Sequence, residues 1–196
     1  NFLEENSIKV TILINNAGIG QDNNLDNTSD SHKEDIINLN ICSVVNLTKD
    51  LIPKFKKNGG GKILNVSSVV GFYPMPKSSI YSSSKAFINF FSEALRMELN
   101  KHNIKVSILC PGATNTSIGN IDNYYSDEKK SGTIRRINTS FAGVMDPNKV
   151  AEVAINHFLK NKFIIIPGIR NKLITFIMAI FGSKLRSFLI FLKVKN

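Results

Sequence analysis

The stretch that most directly indicates the fold is Val10-Thr11-Ile12-Leu13-Ile14, which is followed at once by Asn15-Asn16-Ala17-Gly18. An unbroken run of apolar and β-branched residues predicts a buried strand, and the Asn and Gly residues predict the turn that ends it. Similar runs predict three more strands further along the chain, at residues 62–66, 105–110 and 163–166.

Helical patterns lie between these strands. Apolar residues recur at helical spacing over residues 37–55, and that helix is expected to end either at Pro53 or at the three glycines of residues 59–61. Two further helices are predicted, one from Tyr81 to Leu99 and one over residues 150–159. The alternation of strand and helix predicts an α/β fold, with a parallel sheet and helices on both faces.

The composition is that of a globular protein with one sizeable core, since 42% of the 196 residues are hydrophobic and 20% are charged. Cys42 and Cys110 both lie in apolar segments, so we expect buried, reduced thiols and a cytoplasmic, reducing compartment. His32, His102 and His157 lack the spacing of metal ligands, which predicts no metal site and solvated or capping roles for these rings.

The formal net charge of +10 is concentrated near the end of the chain, where no acidic residue follows Glu152 and eight basic residues do. Nucleic-acid-binding modules mix basic residues with aromatic or polar readers. No such module is recognisable in this sequence, so we expect no nucleic-acid partner. The basic residues instead accompany an apolar tail, which favours an anionic membrane surface as a partner.

The apolar tail at residues 173–192 is about as long as a bilayer span, which needs roughly 20 apolar residues. Lys184 and Arg186 lie in its middle, and each charge there costs about 2.5–3.5 kcal/mol, so a true span is disfavoured. We expect two short apolar helices that separate at Gly182-Ser183. Two roles stay open for them: covering the substrate cleft or an oligomer interface, and in-plane attachment to an anionic membrane.

Three polar side chains give the sequence its chemistry. Tyr81 and Lys85 are about one helical turn apart and share a helix face, and Ser68 lies thirteen residues before Tyr81. An ammonium lowers the pKa of a nearby phenol from about 10, so Tyr81 can exchange a proton with a carbonyl or alcohol oxygen that the Ser68 hydroxyl holds. Asn16, Ser68 and Pro111-Gly112 each follow a strand, and parallel sheets bind ligands at that rim.

The ordered set of motifs resembles the short-chain dehydrogenase/reductase family. The matching segments are Asn15-Asn16-Ala17-Gly18, Asn40 in a long helix, Ser67-Ser68, Tyr81-x-x-x-Lys85 and residues 110–116. The resemblance implies a Rossmann-like, doubly wound α/β sheet and an oxidoreductase that uses NAD or NADP. It also implies a partial catalytic domain at residues 1–168 and an apolar, basic C-terminal extension at residues 169–196, as in one bacterial subgroup of reductases in this family.

The resemblance also implies roles for individual residues. Tyr81 would be the general acid in carbonyl reduction, Lys85 would lower the Tyr81 pKa and hold the nicotinamide ribose, and Ser68 would bind the substrate oxygen. Asn40 would bend its helix and hold a water that connects Lys85 to solvent. The three serines between Tyr81 and Lys85 are expected at the helix start or on the surface. The other expected cofactor-binding residues are Asn16, Ala17, Gly18, Pro111, Gly112 and Thr116.

One part of the family pattern is missing. The dinucleotide-binding half begins with a strand and the turn Thr-Gly-x-x-x-Gly-x-Gly, and the 196 residues contain no such turn. The resemblance is therefore to an N-terminally truncated member that lacks the first strands of this half. We expect the chain by itself to expose residues 10–14 as an apolar edge, to bind dinucleotide weakly or not at all, and to be inactive.

For the full-length protein, the resemblance implies hydride transfer between nicotinamide and the carbonyl or secondary alcohol of a small molecule, in a homo-oligomer. Tyr124, Tyr125, Ile134 and Phe141 lie in the predicted lid, at residues 116–145, and suit an apolar, lipid-like substrate. Two alternatives stay open. One is a non-catalytic relic that acts as a binding or membrane-associated protein, and the other is a larger epimerase or dehydratase relative, against which residues 15–18 argue.

Overall fold

A computed structural model describes residues 5–6, 8–116 and 143–181, together with Leu185, Ser187 and Ile190. Four parallel strands form one sheet in sequential order, and they are β1 (Ile12–Asn15), β2 (Gly61–Val66), β3 (Ile104–Leu109) and β4 (Ile164–Ile165). The predicted parallel α/β sheet is therefore confirmed. The predicted lid residues Tyr124, Tyr125, Ile134 and Phe141 lie outside the described residues.

Five α-helices accompany the sheet within the described ranges. They are α1 (Asp30–Ile37), α2 (Ser43–Lys57), α3 (Ser79–Leu99), α4 (Pro147–Leu159) and α5 (Ile169–Ile180). A π-helical turn at Asn38–Cys42 joins α1 to α2, and 3₁₀ turns lie at Leu25–Asn27, Val69–Gly71 and Asn100–His102. Helix α2 continues through Pro53 and ends just before the three glycines, so the second of its two predicted ends is the observed one.

Helices cover both faces of the sheet, as the sequence predicts. Ile63 and Val106 pack with Phe55 of α2 and Leu95 of α3 on one face. The next residues along the strands point the other way, and there Leu64 and Leu109 pack with Val150, Ala154 and Phe158 of α4. Adjacent residues of a strand thus serve two separate cores, which explains why the strand sequences are apolar throughout.

Polar side chains tie β1 and β2 to the helices close to the carboxyl ends of both strands. The Asn15 amide donates to Asn65 Oδ1 at 2.8 Å and to Thr48 Oγ1 at 3.2 Å, and the Asn65 amide donates to Ser92 Oγ at 2.9 Å. All four residues are buried, so their hydrogen bonds offset the cost of removing these groups from water. The network fixes the rim of the sheet relative to α2 and α3.

Helix α5 packs on the segment that follows β2. Its Met178 lies with Val69, Tyr73 and Ile190 in a small apolar cluster, so α5 packs directly on this segment. The helix begins at Ile169, before the predicted residue 173, and the second predicted helix lies largely outside the described residues. Within the described parts of the chain, no helix combines the length and apolar character needed to cross a bilayer.

The predictions about the burial of Cys42 and His32 are wrong. Cys42 is exposed rather than buried, because the π-helical turn at Asn38–Cys42 shifts the helix phase and directs Asn40 inward and Cys42 outward. Cys110 is buried as predicted, and both thiols are free. His32 is buried rather than solvated, because a ring nitrogen lies 2.9 Å from the carbonyl oxygen of Gly20 and joins α1 to the loop after β1.

Candidate active site

The Lys85 side chain lies inside the protein, between α3 and the end of β2. Its amine donates a 3.0 Å hydrogen bond to the carbonyl oxygen of Val66 and lies 5.7 Å from the centre of the Tyr81 ring. Burial lowers the pKa of Lys85 to about 8, and the nearby Cys110 opposes this shift with a smaller effect. A cation so placed is held beside the phenol by the strand and is not a solvated surface lysine.

Gly18 lies close to this amine and to the Asn40 side chain, which come from two other segments. A Cβ placed on Gly18 would lie 3.3 Å from Lys85 Nζ and 3.1 Å from Asn40 Oδ1, so any larger side chain at residue 18 would crowd both groups. The side-chain oxygen of Asn40, Oδ1, accepts from the backbone N–H of Ile19, and the side-chain amide nitrogen donates to the Ile19 carbonyl and to Ser84 Oγ. Both amide protons of Asn40 are thereby used, and the loop after β1 is fixed against α3.

Ser67 and Ser68 differ in how firmly they are held. The buried Ser67 donates a 3.0 Å hydrogen bond to the Lys85 carbonyl and so braces α3. The half-buried Ser68 donates to the Pro111 carbonyl and accepts from the Val70 N–H, each at 3.4 Å, which is long for either bond. The Ser68 hydroxyl is therefore the one that can turn to a new acceptor at small cost.

Gln21 is a residue that the sequence reasoning missed. The N-cap residue of α3, Ser78, makes no capping bond with its own side chain, and Gln21 Oε1 instead accepts from the N–H groups of Ile80 at 2.9 Å and Tyr81 at 3.4 Å. Ser78 Oγ donates back to the Gln21 carbonyl at 2.6 Å. The buried Gln21 thus caps the helix that carries Tyr81, and only the uncapped start of that helix could have hinted at a distant partner.

Of the three serines expected at the helix start or on the surface, Ser83 is exposed, whereas Ser82 and Ser84 are buried. Ser84 shows why. Its hydroxyl donates to the Tyr81 carbonyl at 2.7 Å and accepts from the Asn40 amide at 3.1 Å. A serine can bond back to its own helix in this way, so its polar group needs no solvent. Its position in the helix was the sequence signal for burial, because Ser84 lies three residues after Tyr81 and next to Lys85, on the helix face that these residues share.

The remaining predicted cofactor residues lie along the same rim. Asn16 and Ala17 are exposed at the end of β1, Pro111 and Gly112 are half-buried just after Cys110, and Thr116 is exposed further along. A Cβ on Gly112 would overlap the Asn171 side chain, so this glycine is required by the close approach of α5. The structure therefore brings Gly18, Asn40, Tyr81 and Lys85 into one site, with the other predicted residues on the rim around it.

The Cys110 thiol near the site is unreactive. Burial raises the pKa of the Cys110 thiol to about 12, so this group stays protonated at neutral pH and is no nucleophile. Among the residues that the structure describes, no group of three or more His, Cys, Asp or Glu residues could hold a metal ion.

The hydrogen-bond donors at this site suit the nicotinamide end of a dinucleotide. An ammonium has three N–H donors, and the Val66 carbonyl uses one of those on Lys85. The remaining donors suit a pair of ribose hydroxyls, and the exposed loop at Asn16 and Ala17 leaves space along the rim. The pyrophosphate end has no corresponding cradle, because the sequence contains no Gly-rich turn that leads into a helix.

Comparison with known proteins identifies the family of this chain. The family model described as short chain dehydrogenase matches residues 1–124. A ketoacyl reductase, HetN, of Nostoc sp. is 32% identical over 153 residues, which are 78% of this chain and 49% of HetN. A 3-ketodihydrosphingosine reductase of Bacteroides thetaiotaomicron is 37% identical over 108 residues, which are 55% of this chain and 40% of that enzyme.

Solved structures show the same fold. A short-chain dehydrogenase from Sphingobium yanoikuyae, in complex with NADPH, superposes with a TM-score of 0.69 and 28% identity, over 88% of this chain and 66% of that one. The chain thus belongs to the short-chain dehydrogenase family, a class of oxidoreductases. It spans about half the length of HetN and less of the sphingosine-type reductase.

Proposed function

We propose that the full-length protein is an oxidoreductase that uses NAD or NADP to interconvert a carbonyl and a secondary alcohol. The observation that carries the proposal is the buried Lys85 amine, which the Val66 carbonyl holds within 5.7 Å of the Tyr81 ring centre. When bound, the reduced nicotinamide supplies the hydride that the carbonyl carbon accepts. The NADPH complex of the related dehydrogenase supports this choice of cofactor class.

The proton in this reaction comes from Tyr81. Its phenol gives a proton to the carbonyl oxygen as the carbon accepts hydride, and the reverse transfer accompanies alcohol oxidation. The positive charge of protonated Lys85 favours the phenolate that remains, and its other N–H donors hold the ribose. In this arrangement the N–H groups of Lys85 bind the cofactor, and the hydroxyl of Tyr81 acts on the substrate.

Ser68 and Asn40 complete the proposed catalytic set. The weakly held Ser68 hydroxyl donates to the substrate oxygen, where negative charge develops in the transition state. Asn40 has both amide protons engaged with Ile19 and Ser84, so a water that relays protons to Lys85 would use its backbone carbonyl. The π-helical turn around Asn40 supports this role, because it interrupts the regular hydrogen-bond ladder of the helix.

The substrate that we propose is apolar and lipid-like. The apolar and aromatic side chains of the predicted lid support this class, and so do the names of two relatives, a ketoacyl reductase and a 3-ketodihydrosphingosine reductase. Val69 and Tyr73, which follow Ser68 in the chain, form an apolar cluster with Met178 of α5, and this apolar surrounding next to Ser68 is consistent with such a substrate.

We also propose how the full-length protein is organised. Residues 169–196 extend the catalytic domain of residues 1–168, and the packing of α5 on the segment after Ser68 supports this division. Exposed Phe90 and Met97, two helical turns apart on α3, support a homo-oligomer that forms through this helix. The two free cysteines support a reducing, cytoplasmic location. The basic residues after Glu152 support contact with an anionic membrane surface.

The experiment that tests the function is a turnover assay of the purified full-length protein. Oxidation of NADH and NADPH is followed with a panel of short-chain and long-chain ketones, and faster turnover of the long-chain ketones is expected. Ser68→Ala is expected to lower kcat by about 10²-fold or more, as for a lost oxyanion donor. Ser67→Ala is the matched control, which changes stability more than kcat. Absence of turnover with every ketone would favour a non-catalytic binding protein.

A further inference from the structure

Helix α5 turns an apolar strip outward and buries polar as well as apolar side chains, which is unusual for a helix on the surface of a globular protein. Its buried residues are Asn171, Thr175 and Met178, two of which are polar. Its exposed apolar residues recur at helical spacing, and they are Ile169 (77% exposed), Leu173 (58%), Phe176 (63%) and Ile180 (63%). A surface helix normally turns its apolar residues inward, so this strip, the apolar face of α5, requires something to cover it.

The inward face of α5 is fixed in the orientation observed. The Asn171 amide donates to the Pro167 carbonyl at 2.9 Å, and its side chain fills the space above Gly112. Met178 packs in the cluster with Val69 and Tyr73. The helix is thus held by the loop after β3 and by the segment after β2, and rotation of the apolar face inward would break both contacts.

The charges beside the apolar face are all of one sign. Arg170 and Lys172 are exposed, and their positions in the helix put them on opposite flanks of the strip. No acidic residue occurs in α5 or anywhere after Glu152. An apolar strip with a basic side chain on each flank matches the boundary between headgroups and acyl chains of an anionic bilayer, where the long basic side chains reach the phosphates.

We propose that the apolar face of α5 is a docking surface for an anionic lipid bilayer, with the helix lying in the membrane plane. The inference rests on the proposed function in one respect, because α5 adjoins the apolar cluster after Ser68 and a docked enzyme would take its lipid-like substrate directly from the bilayer. Electrostatic attraction brings the basic flanks to the surface, and burial of the apolar face holds the protein there.

The test is co-sedimentation of the full-length protein with vesicles of phosphatidylcholine, with and without phosphatidylglycerol. Binding is expected only with phosphatidylglycerol, and about 1 M NaCl should weaken it by screening the charges. Leu173→Ser and Phe176→Ser are each expected to weaken binding by about tenfold or more. Leu159→Ser is the matched control, because Leu159 is similarly exposed (54%, against 58% for Leu173) but lies on α4, and it should leave binding unchanged.

The flanking charges are tested separately. Arg170→Gln with Lys172→Gln should weaken binding to phosphatidylglycerol vesicles by roughly tenfold, whereas Lys160→Gln with Lys162→Gln, at the end of α4, should have a smaller effect. Unchanged binding of the Leu173 and Phe176 variants would overturn the proposal. A smaller oligomer in those variants, with vesicle binding unaltered, would assign the face to a second copy of the chain and would likewise overturn it.

Turnover of a detergent-dispersed ketone, measured in the same variants, separates this proposal from the proposed function. If the wild-type protein turns over the ketone but does not bind vesicles, only the docking proposal is refuted. Vesicle binding without turnover refutes only the enzymatic role.

Discussion

Lys85 and Val66 are joined by a 3.0 Å hydrogen bond from the buried amine to the last carbonyl of β2. The bond anchors helix α3 to the sheet at one atom and leaves the rest of the ammonium beside Tyr81. Burial lowers the pKa of this amine to about 8, so near neutral pH it keeps its proton and its hydrogen bond to the strand.

The Lys85 amine should make stability depend on pH in one window. Its pKa is about 8 in the folded chain and 10.5 when exposed, so between these values the unfolded chain binds a proton that the folded chain does not. Stability should therefore rise with pH from about 8 to 10.5, by up to about 3 kcal/mol, and this contribution should be constant below that window. Urea unfolding without dinucleotide measures the effect, by circular dichroism because the chain has no Trp.

Lys85→Met supplies the reference for that experiment. The difference in unfolding free energy between the wild-type protein and Lys85→Met isolates the amine from other titrating groups, including Tyr73, whose pKa burial raises to about 12. We expect this difference to climb through the window. A difference that stays level from pH 7 to pH 10.5 would mean that the amine keeps its ordinary pKa.

Gln21→Ala should destabilise the protein by about 2 kcal/mol, because α3 loses its cap and two backbone N–H groups lose their acceptor. Gln21→Glu keeps the two acceptor bonds and loses the donor bonds to Asn23 and Thr28, so a smaller loss is expected. Both variants are compared by urea unfolding. Equal losses would show that the capping bonds contribute nothing of their own.

The edge of the sheet at β1 should govern the solubility of the 196-residue chain produced alone. Ile12 and Ile14 point to the face that α4 covers further along the sheet, yet they are 42% and 46% exposed. Ile12→Lys should reduce self-association, since a charge on an edge strand opposes pairing with another chain. Leu25→Lys, at an exposed loop leucine, is the control, and light scattering is the measurement. Equal self-association of the two variants would show that β1 is not the edge through which chains associate.

The same chain produced alone should bind dinucleotide weakly or not at all, because its sequence has no Gly-rich turn to hold the pyrophosphate. Titration of NADH with the purified chain, followed by nicotinamide fluorescence, measures this. Tight, saturable binding would mean that the rim around Lys85 suffices for the whole cofactor.

Much of this fold follows from local patterns. The strands β1 to β4 each lie at or within one residue of an apolar run, because a strand buried on both faces must be apolar throughout. Tyr81 and Lys85 could be paired from their spacing alone, because one turn of a helix fixes their relation. The convergence of Gly18, Asn40 and Lys85 needed the family resemblance, because no local rule joins three separate segments.

The features that escaped prediction depend on distant partners. Gln21 caps a helix that begins 58 residues later, and Ser84 is buried because Asn40 reaches it from another helix. The exposure of Cys42 follows from a π-helical turn, which shifts the helix phase by one residue without an obvious sequence signal. The outward turn of the apolar strip of α5 was likewise hidden, since a sequence pattern indicates an apolar strip but not which side faces the core.

The central claim, that Tyr81 delivers the proton in a nicotinamide-dependent reaction, is tested most directly by Tyr81→Phe in the full-length protein. We expect kcat to fall by about 10²-fold to 10⁴-fold, with the Kd for the dinucleotide nearly unchanged, because the ring stays and only the hydroxyl group that gives the proton is lost. Tyr73→Phe, at a buried tyrosine outside the proposed catalytic set, should retain turnover. A Tyr81→Phe protein with wild-type kcat would contradict the account.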